Sequence, residues 1–181
     1  MRWERLFDDL ESLWEERERE DARAEVADRT RRELASVALV SRLAASEGDL
    51  EFLLVGGRRY AGAPVDLGAD FVVIADGTLR RLLNAAAIVQ VSGLGRRVGG
   101  PRDSVALRRF GLGYALRAIA RDRAPVLVDD VLGRSLTGTI DAVGADHLDF
   151  AEHPLDQPRR ASAVQAARVL TYAGLVAVTA T

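Results

Sequence analysis

The fold is decided by the stretch GRRYAGAPVDLGAD, residues 57–70, because the chain carries a second version of it. That version, GRSLTGTIDAVGAD, occupies residues 133–146, 76 positions later. Both versions begin with Gly-Arg, hold a glycine at their sixth position and end in Gly-Ala-Asp. Because an internal repeat indicates repeated structural units, the 181 residues are expected to form two related halves.

Apolar residues alternate with polar ones around each version, which predicts short β-strands separated by turns. The strands predicted in the first half are residues 50–54, 60–65, 71–74, 79–83 and 87–91. Those predicted in the second half are residues 126–128, 136–140, 147–150, 169–172 and 175–178. The last strands match at an offset of 87, so about eleven extra residues are expected within 152–163, where Pro154 and Pro158 disfavour regular structure.

A helical period precedes each set of strands. An acidic amphipathic N-terminal helix is predicted from apolar residues at three- and four-residue spacing, namely Trp3, Leu6, Phe7, Leu10, Leu13 and Trp14. A second helix is predicted over about residues 22–45, and a third follows Ser104, a residue type that caps helices, and continues to Ile119. The predicted organisation is an acidic helix (1–28), a β unit with its leading helix (29–92), a Gly/Arg linker (93–103) and a second such β unit (104–181).

One helix followed by five strands, with a glycine after the first strand and another within the second, resembles the Sm and Hfq-like small β-barrels. The resemblance covers about residues 29–91 and 110–178. It implies a mainly β fold with helices (α+β), in which an N-terminal amphipathic helix precedes two tandem five-stranded barrels, each preceded by a helix. Sm-like proteins hold RNA bases with an Asp-x-x-Met-Asn type turn and an Arg-Gly-Asp type turn. The corresponding turns here contain neither the Asn nor the Arg-Gly, so those RNA-binding residues are not carried over.

The opening MRWERLFDDL and the block EVADRTRRE, residues 25–33, are similar to a group of uncharacterised actinobacterial proteins. Some members of that group are labelled Fis-type regulators, which implies a C-terminal helix-turn-helix. The C-terminal stretch LVAVT, residues 175–179, instead predicts a strand.

Composition excludes several classes of protein. Cysteine is absent, which removes disulfides, thiolate metal sites and a cysteine nucleophile. The N-terminus leads into an acidic segment, and no apolar run approaches the roughly 20 residues of a membrane span. We therefore expect no signal peptide, no membrane partner and a cytoplasmic location.

Charge is unevenly distributed, although the net charge is only −2. Residues 4–21 hold nine acidic residues against three arginines, whereas residues 92–123 hold eight arginines against two aspartates. Both segments are explained if they are solvated faces, or if they neutralise each other within a monomer or a dimer. The other explanation is that the basic segment contacts the phosphates of nucleic acid. The nucleic-acid alternative assigns the contacts to Arg96, Arg97, Arg102, Arg108 and Arg109, with Arg159 and Arg160 on the longer loop.

No residue pattern reaches a catalytic or metal-binding signature. The aspartates that recur beside the repeated glycines, Asp66, Asp70, Asp141 and Asp146, are expected to accept backbone N–H bonds at bends. The two histidines, His147 and His153, are expected at the surface without a metal, because a metal site needs three or four ligands. No catalytic residue, metal or cofactor is predicted.

Two functions therefore stay open. The first is a non-enzymatic binding and assembly module, with scaffolding or regulation as its role, that contacts a protein partner or a second copy of itself through Trp3, Leu6, Leu10 and Trp14 of the N-terminal helix. Packing of the same apolar stripe on the chain's own β units is the alternative explanation of these residues. The second is a nucleic-acid-binding protein that uses the arginines named above. A homo-oligomer is expected in the first case, because small units gain stability by burying surface against a second chain.

Overall fold

The computed structural model describes residues 2–98 and 109–180, and within the first 22 residues it describes the side chains of Trp14, Arg17, Glu18 and Glu20 only. The chain divides into two compact units, Met1–Ala38 and Leu39–Thr181. One helix, α1 (Arg2–Ala35), forms most of the first unit. It joins the predicted helix over 3–14 to most of the predicted helix over 22–45, because glutamate, arginine and alanine, which favour helices, fill the intervening positions.

The described residues of the second unit form two short α-helices and ten strands. The helices are α2 (Leu39–Ala44) and α3 (Leu112–Arg121). The strands of the first half are β1 (Leu50–Leu54), β2 (Arg59–Leu67), β3 (Phe71–Asp76), β4 (Leu79–Asn84) and β5 (Ile88–Ser92). Those of the second half are β6 (Val126–Asp130), β7 (Ser135–Val143), β8 (His147–Glu152), β9 (Ala166–Thr171) and β10 (Leu175–Ala180). All ten predicted strands are confirmed to within a few residues, whereas Ser104, the predicted helix cap, lies outside the described residues.

The prediction of two closed five-stranded barrels is wrong. The strands form one open antiparallel sheet in the order β5-β1-β2-β3-β4-β10-β6-β7-β8-β9. The halves merge because β4, the last strand of the first half along this order, pairs with β10 of the second. The N–H and C=O groups on this side of β4 are paired with β10 of the other half. The first half therefore does not need to close into a barrel to protect the edge of β4.

The two halves repeat the same strand register, as the sequence repeat predicts. Leu50 faces Gly62 in the first half, and Val126 faces Gly138 in the second. Both glycines are required by close packing, because a Cβ at Gly62 would lie 2.4 Å from the carbonyl oxygen of Ala75, and a Cβ at Gly138 would lie 2.1 Å from that of Ala151. The repeated glycine therefore marks the point where β2 and β7 pass closest to the next strand.

Two apolar cores fill the unit, and each contains residues from both halves. The first core contains residues of α2 and of strands β1 to β4, together with Val176 and Ala177 of β10. The second contains residues of α3, of strands β6 to β8 and of β10, together with Phe71 and Leu82 from the first half. The halves are therefore joined by shared cores as well as by main-chain pairing. Among the described residues, no helix is long and apolar enough to cross a membrane.

Candidate interaction surfaces

The contact between the two halves, here called the junction, is centred on β4 and β10. Leu83 faces Ala177 and Leu82 faces Val178 across the two strands. At the end of β4, the amide nitrogen Nδ2 of Asn84 donates hydrogen bonds to the carbonyl oxygens of Tyr172 at 2.9 Å and Leu175 at 2.8 Å. The junction thus combines apolar side chains with satisfied main-chain groups.

A second contact between the halves gives a structural role to the first of the two Gly-Ala-Asp turns, residues 68–70. The backbone N–H of Ala69 donates to the carbonyl oxygen of Phe110 at 2.9 Å. The carboxylate of Asp70 accepts the N–H of Leu112 at 2.6 Å. Because Leu112 is the first residue of α3, Asp70 satisfies a backbone donor that the helix itself leaves free, and it does so from the other half of the sheet.

A buried polar cluster completes the junction. The carboxylate of Asp129 is fully buried and accepts hydrogen bonds from the hydroxyls of Tyr60 and, at 2.6 Å, of Ser135. The guanidinium of Arg58 lies 3.3 Å from the same carboxylate and donates to the carbonyl oxygen of Gly133 at 2.9 Å. Burial, together with the bond to Asp129, raises the pKa of Tyr60 to about 12. Two hydroxyl donors and one ion pair therefore hold a carboxylate that water does not reach, an arrangement suited to joining the halves.

The outer edges of β5 and β9 are the ends of the sheet. In the part of the chain that the structure describes, β5 pairs only with β1 and β9 pairs only with β8. Each edge displays a large apolar side chain to solvent, since Val89 is 61% exposed and Val169 is 66% exposed. Neither strand is among the sites predicted from the sequence, because the position of a strand at the edge depends on the order of all the strands in the sheet.

A cavity adjoins each of these edges. Beside β5 a cavity of about 340 Å³ is lined by residues of β1, β2 and β5, among them Phe52, Tyr60 and Gln90. Beside β9 a cavity of about 240 Å³ is lined by residues that include Asp130, Leu170 and Gly174. Both cavities can accept a side chain from a strand that pairs with the edge.

The residues predicted for partner binding lie on α1. Trp14 is 75% exposed. The side chains of Trp3, Leu6 and Leu10 fall outside the described residues, so their role stays a prediction. Trp14 is therefore a large apolar side chain presented to solvent.

The arginines predicted to contact nucleic acid are only partly brought together. Arg96 and Arg97 line a cavity of about 330 Å³ with Arg42, whose guanidinium donates to the carbonyl oxygen of Gly95 at 2.8 Å. Arg109 is exposed, and Arg102 and Arg108 lie outside the described residues. In the longer loop Arg160 is exposed, whereas Arg159 is paired with Asp141, which raises the pKa of the arginine.

The recurring aspartates and the histidines have structural partners. Asp66 accepts the N–H of Leu67, whereas the main side-chain partner of Asp146 is the ring of His147, at 2.8 Å. That hydrogen bond lowers the pKa of Asp146.

The expected surface position is wrong for His153, which is fully buried. Its ring nitrogens lie 2.8 Å from the hydroxyl of Thr139 and 2.8 Å from the carbonyl oxygen of Pro154.

Within the described residues, no group of three or more histidine, cysteine or acidic side chains is arranged to hold a metal ion. Comparison of the chain with family models, with curated proteins and with solved structures finds no match.

Proposed function

We propose that this chain is a non-enzymatic binding and assembly module that acts through protein–protein contacts, with a scaffolding or regulatory role. The observation that carries the proposal is the pair of open sheet edges, β5 and β9, each of which exposes a valine beside a cavity. An open edge offers a row of N–H and C=O groups to another strand, and an adjacent pocket for one of its side chains adds specificity.

The composition of the two edge strands supports this reading. Natural proteins usually protect a free edge with charged side chains, proline or a bulge that turns the edge away. The strand β5 has the sequence IVQVS, without a charge or a proline. The charge on β9, Arg168, is drawn onto the neighbouring strand by its ion pair with Glu152. Both edges are thus left able to pair.

The test is affinity capture from the native cell extract with the full chain as bait, with and without nuclease. We expect partner chains or further copies of the bait to be retained after nuclease treatment. The variants Val89→Asp and Val169→Asp should lose them, because a charge placed at a desolvated edge opposes pairing. The control Val65→Asp alters an exposed valine on β2, an interior strand, and should retain them.

A further variant, Trp14→Glu, separates the edges from α1. Loss of capture with this variant alone would assign the contact to the N-terminal helix, as the sequence predicts. Capture that is abolished by nuclease would contradict a module that acts through protein contacts.

Nucleic-acid binding is the second candidate, and the cavity lined by Arg42, Arg96 and Arg97 favours it. Three guanidinium groups around one cavity attract phosphate, and each neutralised phosphate releases counterions. We expect a labelled single-stranded oligonucleotide to bind weakly, with an affinity that falls between about 50 and 200 mM salt. The double variant Arg96→Ala, Arg97→Ala should reduce the salt slope by about 2, whereas Arg31→Ala, Arg32→Ala on α1 should leave it unchanged. No binding at low salt would remove this candidate.

A further inference from the structure

We infer that Ser162, in the loop between β8 and β9, is a phosphorylation site for a protein serine kinase that recognises arginines ahead of the acceptor residue. The loop comprises residues 153–165 and contains the run Arg159-Arg160-Ala161-Ser162. The inference goes beyond the proposed function, because the modification requires no partner at the edges of the sheet.

The loop is an insertion that the first half of the sheet lacks. The equivalent connection in the first half joins β3 to β4 and consists of Gly77 and Thr78 only. Because β3 pairs with β4 as β8 pairs with β9, the inserted residues are not needed to form the sheet. A long loop carried by a rigid scaffold is a common position for functional residues.

The ends of the loop are anchored and its middle is open to solvent. The N–H of His153 donates to the carbonyl oxygen of Thr137 at 2.9 Å, and the N–H of Gln165 donates to that of Glu152 at 2.8 Å. Every residue from 155 to 162 is exposed. The hydroxyl of Ser162 forms no hydrogen bond with the residues that the structure describes, so an enzyme can reach it.

A single turn holds Ser162 at the surface. The carbonyl oxygen of Arg160 accepts the N–H of Ala163 at 2.9 Å and that of Val164 at 3.2 Å. Two backbone hydrogen bonds in an exposed loop open at a low cost in free energy. The segment can therefore extend into the cleft of an enzyme without disturbing the sheet.

The two arginines place positive charge at fixed distances from the acceptor. In an extended chain, Arg160 and Arg159 lie about 7 Å and about 10 Å before Ser162. Guanidinium groups form paired hydrogen bonds with carboxylates, and kinases select substrates by such patterns of charge. Arg160 is exposed and forms no ion pair with a described residue. Arg159 is paired with Asp141 at the surface, where ion pairs are weak enough to be exchanged for a carboxylate of the kinase.

The abundance of arginine alone does not account for this pattern. The chain contains 25 arginines and six Arg-Arg pairs, and only the pair at 159–160 has a hydroxyl residue two positions later. The residues at that position after the other five pairs are Leu34, Ala61, Leu83, Gly99 and Gly111. The one pair that precedes a serine is therefore also the one that lies in the inserted loop.

The reaction transfers the γ-phosphoryl group of magnesium-bound ATP. A bond forms between Oγ of Ser162 and the γ-phosphorus, the bond from that phosphorus to the β,γ-bridging oxygen breaks, and ADP leaves. The hydroxyl proton passes to a carboxylate of the kinase. The product carries a charge of about −1.5 to −2 within three residues of two guanidinium groups. The phosphate therefore competes with Asp141 for Arg159 and loosens the attachment of the loop to β7.

The experiment incubates the full chain with native cell extract, magnesium and ATP labelled at the γ-phosphate, followed by digestion with trypsin. Cleavage after Arg160 and Arg168 releases the peptide 161–168, in which Ser162 is the only hydroxyl residue. We expect this peptide to carry the label and to gain the mass of one phosphate. A chain that acquires no label, or acquires it only in other peptides, would overturn the inference.

Three variants test how the site is recognised. Ser162→Ala should abolish the label in this peptide. The double variant Arg159→Ala, Arg160→Ala keeps the hydroxyl but should lower the initial rate of labelling about tenfold or more, because hydrogen bonds between charged groups are lost. The matched control is Thr78→Ala, which removes an exposed hydroxyl from the equivalent turn of the first half and should leave the rate unchanged. Circular dichroism should be the same for all the variants, since every change lies at an exposed position. Labelling of Ser162 at an equal rate in the double arginine variant would overturn recognition through the arginines.

Discussion

The hydroxyl of Tyr60, on β2, donates a hydrogen bond to the fully buried carboxylate of Asp129, on β6, in the other half of the sheet. A buried carboxylate is costly unless donors and an opposite charge surround it, and here the hydroxyl of Ser135 supplies a second donor and Arg58 supplies the positive charge. The two halves of the sheet are therefore coupled, because the buried carboxylate of Asp129 keeps all of its partners only while both halves are folded against each other.

Replacement of Tyr60 by phenylalanine should lower the free energy of unfolding by about 1–3 kcal/mol, because one acceptor of a buried carboxylate loses its donor. Urea unfolding followed by circular dichroism measures the change. Tyr114→Phe is the control, since the Tyr114 side chain is exposed and should change stability very little. Equal stability of the Tyr60 variant and the natural chain would show that the bond does not couple the halves.

Tyr60 should also titrate at unusually high pH. Burial and the bond to Asp129 raise its pKa to about 12, above the usual value near 10. Because the folded-state pKa is raised, the stabilisation is fully present below the unfolded-state pKa and is lost as the pH rises through the folded value. We expect the stability difference between the natural chain and Tyr60→Phe to shrink above about pH 10. A near-ultraviolet phenolate titration should show a tyrosine that ionises near pH 12 in the natural chain and is absent from the variant.

The sequence predicts the repeat and the strands, because glycine spacing and alternation are local patterns. It does not predict the link between Tyr60 and Asp129, which lie 69 residues apart. The repeat itself hides this link, since the position equivalent to Asp129 is Leu53 and the position equivalent to Tyr60 is Leu136. A contact that is formed once, between the two halves, produces no pattern that recurs in the sequence of both halves.

The incorrect prediction of two closed barrels also results from pairing between distant parts of the chain, although the sequence contains one signal of it. The sequence of β10, LVAVTA, is apolar at successive positions, whereas β5, IVQVS, is interrupted by glutamine. A continuous apolar run indicates a strand buried on both faces, as β10 is. Of the proposed surfaces, the sequence indicates Trp14 from helical spacing, but the exposure of Val89 and Val169 depends on strand order and could not be predicted.

Asp130 should make stability depend on acid pH. Burial would raise the pKa of Asp130, but hydrogen bonds from the backbone and guanidinium of Arg134 outweigh it and lower the pKa below its usual value. With a lowered folded-state pKa, the stabilisation is present above the unfolded value near 4 and is lost as the pH falls through the folded value. Asp130→Asn should therefore cost up to about 1 kcal/mol at neutral pH, since Arg134 is mostly exposed.

The stabilities of the natural chain and of Asp130→Asn are measured as the midpoints of denaturant unfolding at pH values from neutral to acid. The difference between them should narrow below about pH 4. A difference that is independent of pH would mean that the Asp130 variant acts through packing alone.

The two close-packed glycines should be equally intolerant of a methyl group. A Cβ at Gly138 would lie 2.1 Å from the carbonyl oxygen of Ala151, and one at Gly62 would lie 2.4 Å from that of Ala75. Gly62 also has a φ of 155°, which side-chain-bearing residues rarely adopt. Both clashing atoms are backbone carbonyl oxygens of a paired strand, so the clash is removed only if the two strands move apart. We therefore expect the free energy of unfolding of each alanine variant to fall by about 1–3 kcal/mol.

Gly95→Ala is the matched control, since a Cβ there meets nothing within 4 Å. Its stability should stay within about 0.5 kcal/mol of the natural chain in the same denaturant titration. Similar losses at Gly62 and Gly138 would show that the repeated glycine has one structural role in both halves. If Gly138→Ala were tolerated while Gly62→Ala was not, the unusual φ of Gly62, and not the approach of the next strand, would be the reason that the sequence keeps a glycine there.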